Sequence, residues 1–175
     1  TPGVDLNAVI KESMVLAKGR IKRHILSDRL TEMPPIACYR SKLGQVVTNL
    51  LVNAGDALTE QVELADAEGS ERFTGKIEIA SGPQERDGVA GVAIVVSDNG
   101  TGVSEDIREK IFEQFFTTKP AGVVTGLGLA MCVDLVKSHG GTLRVIDNPA
   151  LGAARFELKC AYGYSNNFLQ PIFSI

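Results

Sequence analysis

Apolar residues recur along this chain with two different periods, and the places where the period changes mark its elements. Leu6, Val9, Ile10, Met14 and Ala17 fall at helical spacing, which predicts a helix from Val4 to about Arg20 capped by Asp5 or Asn7. A second stripe, Leu43, Val46, Val47, Leu50, Ala54 and Ala57, predicts a helix from Lys42 to about Leu58 with Ser41 as its cap. Between them, 25–30 reads as a short edge strand, and Pro34-Pro35 then breaks the chain. The charged, small-residue stretch from Gln61 to Gly75 reads as the helix end and a loop.

The period then shortens. Lys76 to Ser81 alternates Ile77 and Ile79 with Glu78, and Val92 to Ser97 is almost wholly apolar, so both are predicted strands. Gly82 to Gly91, with Pro83, Asp87 and Gly88, reads as a long hairpin loop between them. Ser104 is placed to cap a short helix reaching Phe112, with Glu105 and Asp106 in its first turn. Lys119 to Thr125 reads as a mobile loop, Leu127 to Ser138 as a helix ending at His139-Gly140-Gly141, and 142–147 and 153–159 as closing strands. Helices and strands intermingle without strict βαβ alternation and without internal repeats. An α+β class with a mixed or antiparallel sheet fits best.

Composition narrows the functions on offer. At 175 residues the chain suits one compact domain, and 22% charged with 44% hydrophobic residues is ordinary for a globular protein. A net charge of −3 gives no electrostatic footprint for nucleic acid. Cys38, Cys132 and Cys160 are scattered without metal-site spacing and read as small buried hydrophobes. No apolar run reaches about 18 residues and no signal peptide is seen, so a cytoplasmic domain without membrane contact is expected, although its parent protein could be anchored.

Four clusters carry candidate chemistry. Asn49 and Asn53 stand one turn apart on the second helix, with Asp56 beside them, on a face that flanks the apolar stripe. Magnesium takes few protein oxygens alongside phosphates and keeps its waters, so one amide carbonyl there suffices as a ligand. The pair is also readable as surface amides of an ordinary helix. Asp98 ends an apolar strand ahead of Gly100 and Gly102. A partly buried carboxylate needs donors, the exocyclic amine of adenine is one, and the glycines let backbone approach a ring closely. A turn with Asp-Asn-Gly chemistry is the other reading.

Gly126-Leu127-Gly128 at a helix start offers backbone N–H groups to phosphates. The chain contains no G-x-x-x-x-G-K-[ST] loop, and the run fails the dinucleotide-binding G-x-G-x-x-G pattern. Lys119, in a loop with Thr117, Thr118 and Thr125, is either a charge for the β- or γ-phosphate or a solvated lysine. Phe112, Phe115 and Phe116 serve equally as core packing or as anchors of a moving loop.

Taken in order, the Asn-rich helix, Asp98-Asn99-Gly100-Thr101-Gly102, Phe112-Glu113-Gln114-Phe115-Phe116 with Thr117-Thr118-Lys119, and Gly126-Leu127-Gly128-Leu129 resemble a known arrangement. It is the ATP-binding catalytic domain of bacterial sensor histidine kinases, of the GHKL superfamily. The running text at 43–54 and 138–143 is also similar, and kinases of the nitrogen-regulation type share the Phe-Phe-Thr-Thr-Lys run. The likeness extends from about Val4 to Lys159, so 1–160 is expected to be the catalytic domain and 161–175 a tail of no assigned role.

The resemblance implies a Bergerat-type fold, a two-layer sandwich of helices on a mixed sheet, with ATP and Mg²⁺ as cofactors. It implies that Asn53 coordinates Mg²⁺, that Asn49 helps hold the phosphates or a metal-bound water, and that Asp98 accepts from the adenine amine. Gly100 and Gly102 would shape the base pocket, and Phe112, Phe115 and Phe116 would position a lid. Lys119, Thr125, Gly126, Leu127 and Gly128 would meet the nucleotide as that lid closes. The γ-phosphoryl group would pass to a histidine on a separate helical dimerisation domain, then to an aspartate of a response-regulator receiver domain.

This chain's only histidines, His24 and His139, sit outside any acceptor motif, so the expectation is a catalytic domain that does not autophosphorylate alone. Ala153-Ala154 stands where many relatives carry a hydroxyl. Alternatives within the superfamily are a nucleotide-binding interaction module and an anti-sigma-type serine kinase. An ATP-driven clamp fits poorly, because clamps place a glutamate at the Asn49 position to activate water.

Overall fold

In a computed structural model of the chain, residues 3–86, 89–114, 116, 128–147 and 154–161 are described. They form α1 (Leu6–Ile21), β1 (Ile25–Leu30), α2 (Arg40–Glu68), β2 (Lys76–Arg86), β3 (Val89–Asp98), α3 (Gly128–Lys137), β4 (Thr142–Asp147) and β5 (Ala154–Ala161). Two 3-10 turns, Glu105–Ile107 and Lys110–Phe112, lie between β3 and α3. The strands make one sheet in the order β1-β2-β3-β5-β4, with β1 parallel to β2 and every other pair antiparallel. The class is α+β with a mixed sheet, as expected, and 25–30 is indeed an edge strand.

Alternation along the two inner strands decides which side is core. Ile77 and Ile79 of β2 and Val92, Ile94 and Val96 of β3 are at most 1% exposed, and they pack with the apolar stripe of α2 and the buried residues of α1. Asp5, not Asn7, caps α1, accepting from the backbone N–H groups of Asn7 and Ala8. The Asn7 side chain instead ties α1 to the sheet: its amide donates to the Thr31 carbonyl at 2.8 Å and its oxygen accepts from the Ser81 hydroxyl at 2.7 Å.

Four features differ from the sequence expectation. α2 starts with Tyr39 as its N-cap, so Ser41 lies inside the helix and caps nothing. It also runs ten residues past Leu58 and ends at Gly69, whose φ of 64° closes it with bonds back to Ala65 and Asp66. The apolar stripe stops at Leu58, the last fully buried residue of the helix, while Glu60, Glu63 and the alanines keep the backbone helical. Within the long loop expected over Gly82–Gly91, residues 82–86 and 89–91 are strand instead: β2 and β3 pair through Pro83↔Val92 to Arg86↔Val89. Beyond Ser81, β2 has no partner on its β1 side, and a proline is tolerated at such an edge. The short helix expected after Ser104 is the pair of 3-10 turns, and Ser104 makes no side-chain cap bond.

His24 seals the corner between α1 and β1. Its Nε2 lies 3.1 Å from the Gly55 carbonyl and 3.0 Å from the Thr59 hydroxyl. A carbonyl only accepts, so Nε2 carries the hydrogen and Nδ1 is left bare, buried and, among the described residues, without a partner. Burial lowers the pKa of His24 from its ordinary 6.5, the Gly55 carbonyl opposes this, and Arg23 adds to it. The folded state therefore binds the proton less readily than the unfolded chain. Stability from this group is intact above about pH 6.5 and falls as pH drops below it, by up to about 1.4 kcal/mol per pH unit. Thermal melts between pH 7.5 and 5 are expected to show that slope, and His24→Gln to flatten it; an equal slope in the variant would refute the assignment.

Candidate functional site

The central strand β3 builds the site through its own alternation. Val92, Ile94 and Val96 face the helices, and the same two-residue phase carries Asp98 to that side, opposite Ile77 in the register. The result is a carboxylate 5% exposed at the end of an apolar row. Burial raises its pKa, partly opposed by the Gly100 backbone N–H, which donates to Oδ1 at 2.9 Å. Among the described residues its other oxygen has no hydrogen bond. The turn reading is realised: the carboxylate closes its own turn through Gly100, and its second oxygen holds acceptor capacity.

Asn99 holds that turn rigid, a role the sequence reading missed. Its Oδ1 accepts from the Lys76 N–H at 2.6 Å and its amide donates to the Thr74 carbonyl at 3.0 Å, so the start of β2 clamps the end of β3. Gly100 is required by space: a Cβ there would lie 2.8 Å from Asp98 Oδ1, 3.5 Å from Leu58 Cδ2 and 3.6 Å from Gln61 Oε1. Gly102 is required by conformation, with φ of 77°.

Asn49 and Asn53 are both half-buried and flank the buried stripe of α2 as predicted. Asn49 donates to the Cys132 thiol of α3 at 3.7 Å, which links the amide helix to the helix that Gly128 opens. Cys132 is fully buried and its pKa is pushed up to about 11 by burial, so it packs rather than reacts, as expected of it and of buried Cys38. No side-chain hydrogen bond engages Asn53 among the described residues. Asp56 is drawn to Arg20 of α1 at 2.9 Å.

Among the described residues no group of three or more His, Cys, Asp or Glu is arranged to hold a metal ion. One unengaged amide carbonyl on α2 fits a cation carried largely by phosphates and water, which is the habit of Mg²⁺.

Phe112 ends the second 3-10 turn, half-buried, and packs on the core, as do Val103, Ile111 and Leu129. Phe116 is half-buried and donates its N–H to the Glu113 carbonyl at 3.3 Å. At the N-terminus of α3, a Cβ on Gly128 would meet nothing within 4 Å. Phe115, Lys119, Thr125, Gly126 and Leu127 lie outside the described residues.

Both histidines are structural. His139 accepts the Tyr39 N–H on Nε2 at 2.9 Å and donates from Nδ1 to the Leu135 carbonyl at 2.7 Å, pinning the start of α2 to the end of α3. Among the described residues no helix is long and apolar enough to cross a membrane.

Residues 38–162 match the family described as histidine kinase-, DNA gyrase B-, and HSP90-like ATPase. The chain belongs to that family. Within it, the similarities of this ATPase domain lie with sensor histidine kinases. It is 35% identical over 153 residues to the signal transduction histidine-protein kinase AtoS of Escherichia coli K12, covering 86% of this chain and 22% of that protein. Sensor kinases of the nitrogen-regulation group, named NtrB and NtrY, are among its further relatives.

Among solved structures, the mycobacterial sensor histidine kinase MprB superposes with a TM-score of 0.71 at 26% identity, covering 93% of this chain and 97% of that one. Full-length ShkA in complex with AMPPNP gives 0.70 at 25% identity, over 93% of this chain and 32% of that one. The chain thus spans 22% of AtoS and 32% of full-length ShkA, well under half of either kinase.

Proposed function

We propose that this domain binds Mg-ATP and donates the γ-phosphoryl group to a histidine on a separate helical dimerisation and phosphoacceptor domain, in two-component signalling. The observation that carries the reading is Asp98, a carboxylate with acceptor capacity left over, buried at the end of the central strand just ahead of Gly100 and Gly102. A purine amine is the kind of donor such a group recognises. In a related fold, ShkA was solved with AMPPNP.

In this reading Asn53 is the protein ligand of Mg²⁺, which supplies charge neutralisation at the phosphates. Asn49, steadied by Cys132, orients phosphate or a metal-bound water. Gly100 and Gly102 shape the base end, while Phe112 and Phe116 position the lid that the family resemblance implies. Lys119, Thr125, Gly126, Leu127 and Gly128 contribute charge and N–H groups on that lid and at the start of α3. Phosphoryl transfer asks the protein for positioning and charge rather than covalent participation, which suits amides, glycines and one lysine. The acceptor must come from elsewhere, since His24 is buried and His139 uses both ring nitrogens. A response-regulator receiver domain is the onward partner.

The test has two stages. Calorimetric titration with a non-hydrolysable ATP analogue is expected to show adenine-selective binding that strengthens with Mg²⁺, with GTP at least about tenfold weaker. Mixing the domain, ATP and a separately produced phosphoacceptor domain from its parent kinase should then label the histidine. No binding at millimolar nucleotide would overturn the site assignment. Binding with label on a partner serine would move the assignment to a serine kinase.

A further inference from the structure

Past Leu58, α2 makes one more inward turn, and its polar residue there has no assigned role. Gln61 stands three residues after Leu58 and seven after Ala54, on the buried side of the helix. Its Oε1 is buried and, among the described residues, has no hydrogen-bond partner. A buried acceptor without a donor is costly, and sites of this kind in native proteins call for an explanation. The atom is well placed to have one: it lies 3.6 Å from the point above Gly100 where a Cβ would sit, and Asp98 Oδ1 lies 2.8 Å from the same point. A carboxylate from β3 and an amide carbonyl from α2 therefore converge over the bare backbone of Gly100, where the Leu58 Cδ2 methyl also lies within 3.5 Å of that point.

We propose that Gln61 is a specificity-determining residue of the base pocket, presenting a second acceptor beside Asp98 so that a purine with a 6-amino group is taken and a 6-oxo purine is rejected. This rests on the assignment of Asp98 to the base. An exocyclic amine has two hydrogens, and a carboxylate alone uses one of them. A 6-oxo purine would set its own acceptor against two others, and polar groups left unpaired in this way are what makes a hydrogen-bonding site discriminate. Gln61→Met keeps the length and shape of the side chain while removing its carbonyl.

The experiment compares ADP with IDP, by calorimetry without Mg²⁺, on the wild-type chain, Gln61→Met and Asp98→Asn, with thermal melts to confirm folding. Gln61→Met is expected to bind ADP about tenfold more weakly and IDP no more weakly than wild type, collapsing the ADP/IDP ratio. An unchanged ratio, whether both affinities fall together or neither does, overturns the proposal. If Gln61→Met fails to fold, N6-methyl-ADP is titrated on the wild-type chain: binding about tenfold weaker than ADP is expected, and equal binding overturns the proposal. Failure of the wild type to bind ADP, or full binding by Asp98→Asn, would instead remove the site reading on which this one stands.

Discussion

Asp98→Asn is expected to weaken adenine-nucleotide binding by at least about 100-fold while leaving the fold as stable as before or slightly more so. The two halves follow from the same burial. An asparagine keeps an oxygen for the Gly100 N–H, so the turn survives. What it loses is the second, charged acceptor, and in its place an amide NH₂ would face the amine of the base. Donor against donor in a desolvated pocket costs more than a missing bond.

The stability half comes from linkage. Burial raises the folded pKa of Asp98 above its unfolded value, so the contribution of this group is fully present at low pH and is lost as pH rises through the folded pKa. Above its folded pKa the ionised carboxylate therefore weakens the fold, and a neutral isostere relieves it. Melting curves from pH 4 to 8 should show the variant gaining on the wild type as pH rises. A variant that binds nucleotide normally would end the pocket assignment, and one that unfolds would show the carboxylate to be structural.

The second large effect concerns stability alone. Gly55→Ala is expected to destabilise by about 2 kcal/mol, a loss of roughly 4–8 °C in Tm. A Cβ at Gly55 would stand 2.7 Å from the Arg20 carbonyl oxygen and 2.9 Å from Ile21 Cγ2, so the end of α1 must move away from α2. The movement would also strain the His24 bond to the Gly55 carbonyl. Alanine improves helix propensity by about 1 kcal/mol, which offsets only part of the clash. Gly44→Ala in the same helix is the control, because its Cβ would meet only Val9 Cγ1 at 3.7 Å and Ser13 Oγ at 3.8 Å. That variant should be neutral or up to about 1 kcal/mol more stable. Equal effects at the two positions in chemical denaturation would refute the close approach of α1 to α2.

How much was legible beforehand varies with the kind of information involved. The periodicities of 6–17, 43–57 and 92–97 disclosed three elements because each buries one face continuously. The α2 helix beyond Leu58 was not legible from apolar period, because no fully buried residue follows Leu58 in the helix; its C-terminal signal was Gly69, in a stretch read as loop. That early stop is also why Gln61 passed unnoticed: a polar residue on the inward phase is a signal only if the helix is known to continue. The Gly82–Gly91 segment looked like a loop because Gly and Pro dominate it, yet pairing with β3 on one side alone accommodates both.

Local composition and spacing were enough to determine the α+β class, the alternation that turns Asp98 inward, and the motif order shared with sensor histidine kinases. Each of these depends on residues near one another in the chain. Tertiary structure alone decided the groups that meet across it: Asn99 clamping 74–76, Cys132 under Asn49, Gln61 over Gly100, and both histidines committed to backbone. Those meetings depend on how helices register against the sheet, which is set by packing of the whole core and is written in no single stretch of sequence.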